Sequence, residues 1–210
     1  MDSRLSPLQW RILSLLAGFS PPWRLTGGGA LAGFHLGHRV TRDLDLFFHG
    51  LTVLDSIPTQ IESTLSAAGL AVRTEREAPG YRRYVVEDGV ERTIVDVVAE
   101  PVPAIEAALE MAPGIFVDSR HEILVNKLTA LLGRAAIRDL VDVGALVEAG
   151  GDLDRAITEA GTKDGGFSPP TLAWVLDQLP VESLAASSGL DPAPLLRVRA
   201  SLVKRLLSGG

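Results

Sequence analysis

Alternation over Asp43-Leu44-Asp45-Leu46 is the feature that most constrains this 210-residue chain. Successive side chains of an extended strand point to opposite faces, so Asp43 and Asp45 share one face while Leu44 and Leu46 share the other. A carboxylate pair on an apolar-backed strand suits a hard divalent cation, because Mg²⁺ prefers carboxylate oxygens and buried leucines hold the pair rigid. Just upstream, Gly27-Gly28-Gly29 falls between a short apolar run at 23–25 and a helix-like segment beginning at Ala30. A strand, a glycine turn and a helix start in that order let bare backbone N–H groups approach a phosphate.

A phosphate cradle followed, after one short helix, by a two-carboxylate strand is the front half of a nucleotidyltransferase site. The run resembles the polymerase-beta-like nucleotidyltransferase superfamily. More narrowly, Gly27-Gly28-Gly29-Ala30-Leu31 with His38-Arg39 and Thr41-Arg42-Asp43-Leu44-Asp45 resembles the AbiEii/AbiGii toxin family. That resemblance implies a third carboxylate on a neighbouring strand, and Asp96 lies inside the apolar, β-rich run Thr93-Ile94-Val95-Asp96-Val97-Val98. A charge there is costly unless it is paired or bound to metal, the plain alternative being an aspartate neutralised by a nearby arginine such as Arg92.

Two more stretches match the family. Leu124-Val125-Asn126-Lys127-Leu128, continued by Leu131 and Leu132, has helical apolar spacing and reads as the family's lysine helix. Arg138-Asp139-Leu140-Val141-Asp142 reads as its Arg-Asp-x-x-Asp helix, with the two aspartates at i and i+3 on adjoining surface. The resemblance makes Lys127 a phosphate-binding lysine and Asp139 its brace, against the common alternative of a lysine that merely snorkels.

The rest of the chain reads as α+β in front and helical behind. Ser6-Pro7 predicts a helix start, with Leu8, Ile12, Leu15 and Leu16 as its apolar stripe, ending near Gly18 before the break at Pro21-Pro22. A helix over 57–70 ends at Gly69, and strands follow over 71–77, 81–87 and 90–99, the last two joined by the hairpin signal Asp88-Gly89. After Pro101 and Pro103 the chain becomes mostly helical apart from Ile115-Phe116-Val117. Gly150-Gly151 and Gly165-Gly166 read as helix joints, and Ser168-Pro169 and Asp191-Pro192 as helix starts.

Composition narrows the function classes. At 46% hydrophobic residues the chain is not disordered, and with no cysteine it has neither a disulfide framework nor a thiolate metal site, which fits a reducing cytoplasm. No apolar run is long enough to span a bilayer. A net charge of −6 argues against general phosphate affinity, although Arg73, Arg76, Arg82, Arg83 and Arg92 cluster on the hairpins. His35 and His38 lack the further ligands a zinc site needs.

The resemblance therefore implies a minimal nucleotidyltransferase fold: a mixed β-sheet flanked by helices over 1–118, then a helical region over 119–210 that completes the nucleotide site. Asp43, Asp45 and Asp96 would hold two Mg²⁺ (or Mn²⁺) ions. Gly27, Gly28 and Gly29, with Arg39 and Lys127, would bind a nucleoside triphosphate (NTP), and Asp139 would support Lys127. The product would be a nucleoside monophosphate moved to an acceptor hydroxyl on tRNA or protein, by a cytoplasmic toxin with an antitoxin partner and no tie to a membrane. Thr41, two residues before Asp43, corresponds to a family hydroxyl open to regulation by phosphorylation. Where the family usually has Ser or Thr, this chain has Gly29, which removes a hydroxyl that would touch phosphate. The competing readings are a small-molecule nucleotidyltransferase and a degenerate nucleotide-binding regulator.

Overall fold

The structure, a computed structural model, describes residues 3–208. The chain divides into two compact units between Ser119 and Arg120.

The first unit begins with α1 (Pro7–Leu15), closed at its start by a reciprocal capping box between Ser6 and Gln9. After β1 (Arg24–Thr26) comes α2 (Gly27–Ala30), a single helical turn that runs into a π-helical turn over Leu31–His35. Helical backbone therefore starts at Gly27 and includes all three glycines, earlier than the Ala30 start expected from sequence. Next are β2 (Asp43–His49), α3 (Ile57–Ala67), β3 (Ala71–Ala78), β4 (Tyr81–Glu87), β5 (Arg92–Glu100), β6 (Leu109–Ala112) and β7 (Ile115–Val117).

These strands form one mixed sheet in the order β3-β4-β5-β2-β1-β7-β6, with β2 parallel to β5, β1 parallel to β7 and the other neighbours antiparallel. The central position of β2 follows from its alternation: Leu44, Leu46 and Phe48 are fully buried, while Asp43, Asp45, Phe47 and His49 are half-buried on the other face. Val95 and Val97 of β5 and Tyr84 of β4 share the leucine face, which α1 and α3 cover with Ile12, Leu13, Ile61 and Leu65. Each such side chain contributes about 1.5–3 kcal/mol on burial, so this layer fixes the register of the polar face opposite it.

β6 departs from the sequence expectation, in which residues 109–112 belong to no strand. Leu109, Glu110, Met111 and Ala112 are good helix formers, but pairing with β7 across the Gly114 turn (φ 72°) overrides that preference.

The second unit is helical: α4 (Arg120–Arg134), α5 (Ile137–Glu148), α6 (Leu153–Lys163), α7 (Pro169–Asp177), α8 (Val181–Ser187) and α9 (Pro192–Ser208). The expected joints at Gly150-Gly151 and Gly165-Gly166 and the expected proline starts at 169 and 192 fall where predicted. Among the described residues no helix is long and apolar enough to cross a membrane.

Candidate active site

Five side chains form a straight row across the sheet. Register places Arg76 of β3 opposite Arg83 of β4, Arg83 opposite Asp96 of β5, Asp96 beside Asp45 of β2, and Asp45 opposite Thr26 of β1. Residues in register point to one face of a sheet, so guanidinium, carboxylate and hydroxyl groups line up at inter-strand steps of about 4.8 Å. Asp43 lies on the same face one pleat along.

The glycine turn closes over the Thr26 end of the row. Gly27 adopts φ +60°, and a Cβ there would lie 2.5 Å from Asp45 Oδ2, so only glycine lets the backbone come this close to the carboxylate. At Gly28 a Cβ would lie 2.7 Å from Arg39 Nη2 and 3.3 Å from Thr41 Oγ1, so Arg39 is brought against the turn. Gly29 differs: a side chain there would head 3.2 Å from Leu25 Cδ1 and 3.4 Å from Leu44 Cδ2. The Asp43 carbonyl oxygen lies 3.4 Å from the same point, so a side chain at Gly29 would start between apolar packing and the backbone of β2.

Thr41 stands ahead of β2, not within it, yet its hydroxyl donates to Asp43 Oδ1 at 2.7 Å. The segment is pinned from behind, where the buried Gln9 amide donates to the Thr41 carbonyl and to Thr93 Oγ1. Thr26 contributes what sequence reading missed: its hydroxyl is buried beside Asp45 with no hydrogen-bond partner among the described residues. Buried hydroxyls are nearly always satisfied, so this one is suited to an oxygen or cation-bound water of a ligand.

Asp96 is held by neighbours the sequence did not single out. Arg83 grips it bidentately, Nε to Oδ1 at 2.8 Å and Nη2 to Oδ2 at 2.7 Å, and the Tyr81 hydroxyl donates to Oδ1 at 2.7 Å. The neutralising arginine is thus Arg83, not the Arg92 that adjacency suggested. Burial, the hydrogen bond to Asp96 and its charge push the Tyr81 phenol up to about 12, so it stays protonated and donates. Among the described residues no group of three His, Cys, Asp or Glu side chains is gathered closely enough to hold a metal ion. Asp96, expected from sequence as the third carboxylate, is here engaged by Arg83 and Tyr81.

In the helical unit, Lys127 is buried with its ammonium 2.7 Å from Asp139 Oδ1 and 2.8 Å from Asp142 Oδ2, while Arg134 takes Asp139 from the other side at 2.7 Å. It does not snorkel. Burial pushes the Lys127 ammonium down, but the charges of Asp142 and Asp139 outweigh this and hold it above its ordinary value. Asp139 thus contacts Lys127 directly, and Asp142 shares that contact. His35 is a core residue, its Nε2 2.7 Å from the Asp118 carbonyl.

A mixed sheet with paired aspartates on its central strand and a glycine turn against them has the architecture of the nucleotidyltransferase fold. Residues 11–198 match the family model described as "Nucleotidyl transferase AbiEii toxin, Type IV TA system", and the chain belongs to this family of nucleotidyltransferase toxins. Its fold is similar to that of JHP933 from Helicobacter pylori, at 19% identity and TM-score 0.57 over 96% of this chain and 91% of that one. It is likewise similar to MenT4, a nucleotidyltransferase toxin of Mycobacterium tuberculosis, at 18% identity and TM-score 0.56 over 97% and 82% of the two chains. No curated protein sequence matches the chain.

Proposed function

We propose that this chain transfers a nucleoside monophosphate from an NTP to an acceptor hydroxyl, as the toxin of a toxin–antitoxin pair. The observation that carries this reading is the closure of the Gly27 backbone onto Asp45, beside the orphan hydroxyl of Thr26. Asp43 and Asp45 supply hard oxygen donors on one face and fit Mg²⁺ or Mn²⁺ chemically. Asp96 does not fit as a further ligand in this arrangement, since a cation on its oxygens would sit against the Arg83 guanidinium. Bound at the aspartate pair, a divalent ion would neutralise phosphate charge and acidify an attacking hydroxyl.

The chain's own groups do the rest. Backbone N–H groups at Gly27, Gly28 and Gly29 would bind the triphosphate, side chains at Gly27 and Gly28 being barred by Asp45 and Arg39, and Arg39, against Gly28, adds a positive charge. Thr26 donates its hydroxyl toward the same anion. Thr41 orients Asp43 through its 2.7 Å hydrogen bond. A phosphate on Thr41 would remove that bond and add about −1.5 to −2 charges beside the aspartates, which makes it the regulatory residue of this reading. In the helical unit Lys127 is held by Asp139 and Asp142, which fix the position of its ammonium within that unit.

Incubating the protein with Mg²⁺ and each α-labelled NTP, with total tRNA and a protein extract offered separately, tests the reading and finds the acceptor. Label in tRNA or in protein supports transfer and names the class. Label in neither, with every nucleotide, contradicts it.

A further inference from the structure

The buried face of α1 consists of Leu8, Ile12 and Leu13 with one polar side chain among them, Gln9. A buried amide costs free energy unless its hydrogen-bonding groups find partners, and an apolar residue of similar size would pack there without that penalty. Gln9 meets the requirement. Its Oε1 accepts from the Ser6 N–H at 3.0 Å within the capping box, and its Nε2 donates to Thr93 Oγ1 at 3.2 Å and to the Thr41 carbonyl at 3.4 Å. The cap alone does not require an amide, since glutamate at the same position closes a capping box equally well. An ionised glutamate cannot supply the two donated bonds.

Those donated bonds join the starts of two parallel strands. Thr41 leads into β2 and Thr93 lies in the first turn of pleat of β5, where its hydroxyl, accepting from Gln9, donates in turn to the Arg42 carbonyl at 3.1 Å. The same carbonyl takes the Ile94 N–H at 3.1 Å. The helix itself is docked here as well, because the Leu8 N–H, which has no partner within a helical first turn, donates to Glu91 Oε2 at 3.1 Å. Gln9, Thr41 and Thr93 are all buried, a setting in which losing one partner is costly. Beyond Thr41 the bonds reach the site, since its hydroxyl donates to Asp43 Oδ1 at 2.7 Å. An amide on the helix behind the sheet is thus linked through one residue to a carboxylate on the opposite face.

We infer that Gln9 is a positioning residue for nucleotidyl transfer: by clamping the Thr41 carbonyl beside Thr93 it fixes the Thr41 hydroxyl, and through that hydroxyl it sets the orientation of the Asp43 carboxylate. The inference rests on the metal site proposed at Asp43 and Asp45, and assigns that site a support on the far side of the sheet. Functional groups must be held within about 0.5 Å of their productive geometry. Thr41 lies ahead of the residues paired between β2 and β5, whose register begins at Asp43 opposite Ile94, so the amide restrains a segment that the strand ladder does not include. Gln9 touches neither nucleotide nor metal in this scheme and acts through Thr41.

The test measures Mn²⁺ binding to the full chain without nucleotide, by loss of the free-ion signal in electron paramagnetic resonance, beside kcat and KM for NTP at saturating Mg²⁺. Gln9→Met keeps the size and helix preference of the side chain but donates nothing, and it should weaken Mn²⁺ binding about tenfold and lower kcat with KM for NTP unchanged. In a Thr41→Val background, which lacks the hydroxyl that reaches Asp43, Gln9→Met should have no further effect on Mn²⁺ affinity. Ser6→Ala is the control for the cap: it should lower the melting temperature and leave Mn²⁺ affinity and kcat as they are. If Gln9→Met melts below the assay temperature, Thr93→Val decides instead, because it removes the other side of the clamp, leaves the α1 cap intact and should weaken Mn²⁺ binding in the same sense. Unchanged Mn²⁺ affinity and kcat in the folded variant would overturn the inference. So would an equal loss in Ser6→Ala, which would reduce Gln9 to a helix cap, and so would a Gln9→Met effect that simply adds to that of Thr41→Val. A wild type that binds Mn²⁺ yet attaches no α-label to any acceptor would contradict nucleotidyl transfer while the Gln9 comparison still reads out. One that binds no Mn²⁺ would overturn the inference itself.

Discussion

Asp45 is the residue on which most of the chemistry converges, closely approached by the Gly27 backbone and flanked in register by Thr26 and Asp96. Asp45→Asn should reduce nucleotidyl transfer by about 10²-fold or more, because the amide cannot hold a divalent cation as a carboxylate does. Stability should hold or rise, since one member of an acidic row loses its charge. Thermal unfolding beside a transfer assay checks both, and a variant that unfolds early would make Asp45 structural. Gly28→Ala is subtler. Its Cβ would meet the flexible end of Arg39 at 2.7 Å and, less closely, Thr41 Oγ1 at 3.3 Å, so the fold should survive while NTP affinity falls about tenfold as the guanidinium is displaced. An unchanged affinity would remove Arg39 from the nucleotide site. Thr41→Glu should lower both NTP affinity and transfer rate by crowding Asp43 with a second carboxylate, and unchanged values would leave Thr41 with only its structural bond.

At the scale of elements, the pair α4 and α5 is held by the Lys127, Asp139, Asp142 and Arg134 cluster. Lys127→Met should cost about 3–5 kcal/mol in denaturant unfolding, because it leaves two buried carboxylates without their shared cation. A change below about 1 kcal/mol, the scale of an exposed ion pair, would show that Lys127 is dispensable to the helical unit. Burial pushes the Asp139 carboxyl up, but hydrogen bonds from Arg134 and the Lys127 charge outweigh it and hold it below its ordinary range. A depressed folded value gives stability that is complete above the unfolded pKa near 3.9 and is lost as pH falls toward the folded one. The helical unit should accordingly weaken from about pH 5 downward, and Asp139→Asn should flatten that slope. The elements themselves were largely legible in the sequence. Period-two alternation gave β2, Ser6-Pro7 gave α1, and Asp88-Gly89 gave the β4–β5 turn. Local preference misled at β6, where helix formers pair as a strand. It could not place Arg83 or Thr26 against the aspartates, because those positions depend on register between strands, fixed by the leucine and valine layer behind them. Asp43 and Asp45 were readable since both belong to one strand.

For the whole molecule, family membership carries nucleotidyl transfer, and the structure adds an asymmetric sheet face: glycine turn and Arg39 on one flank of the aspartates, arginines on the other. A chain that binds its nucleotide only when folded gains stability from it by mass action, about 2.7 kcal/mol at a ligand concentration one hundredfold above Kd. NTP with Mg²⁺ should raise the melting temperature of the wild type but not of Asp45→Asn.

The most direct test of the central claim follows the phosphates themselves. The protein is given Mg²⁺, an acceptor preparation and one NTP labelled in parallel at the α- and the γ-position. The account predicts that α-label becomes covalently attached to acceptor while γ-label leaves as pyrophosphate, and that Asp45→Asn does neither. Attachment of γ-label with release of the unlabelled diphosphate would mean phosphoryl transfer, and release of γ-label as inorganic phosphate with no α-label attached would mean hydrolysis. Either result would contradict nucleotidyl transfer at this site.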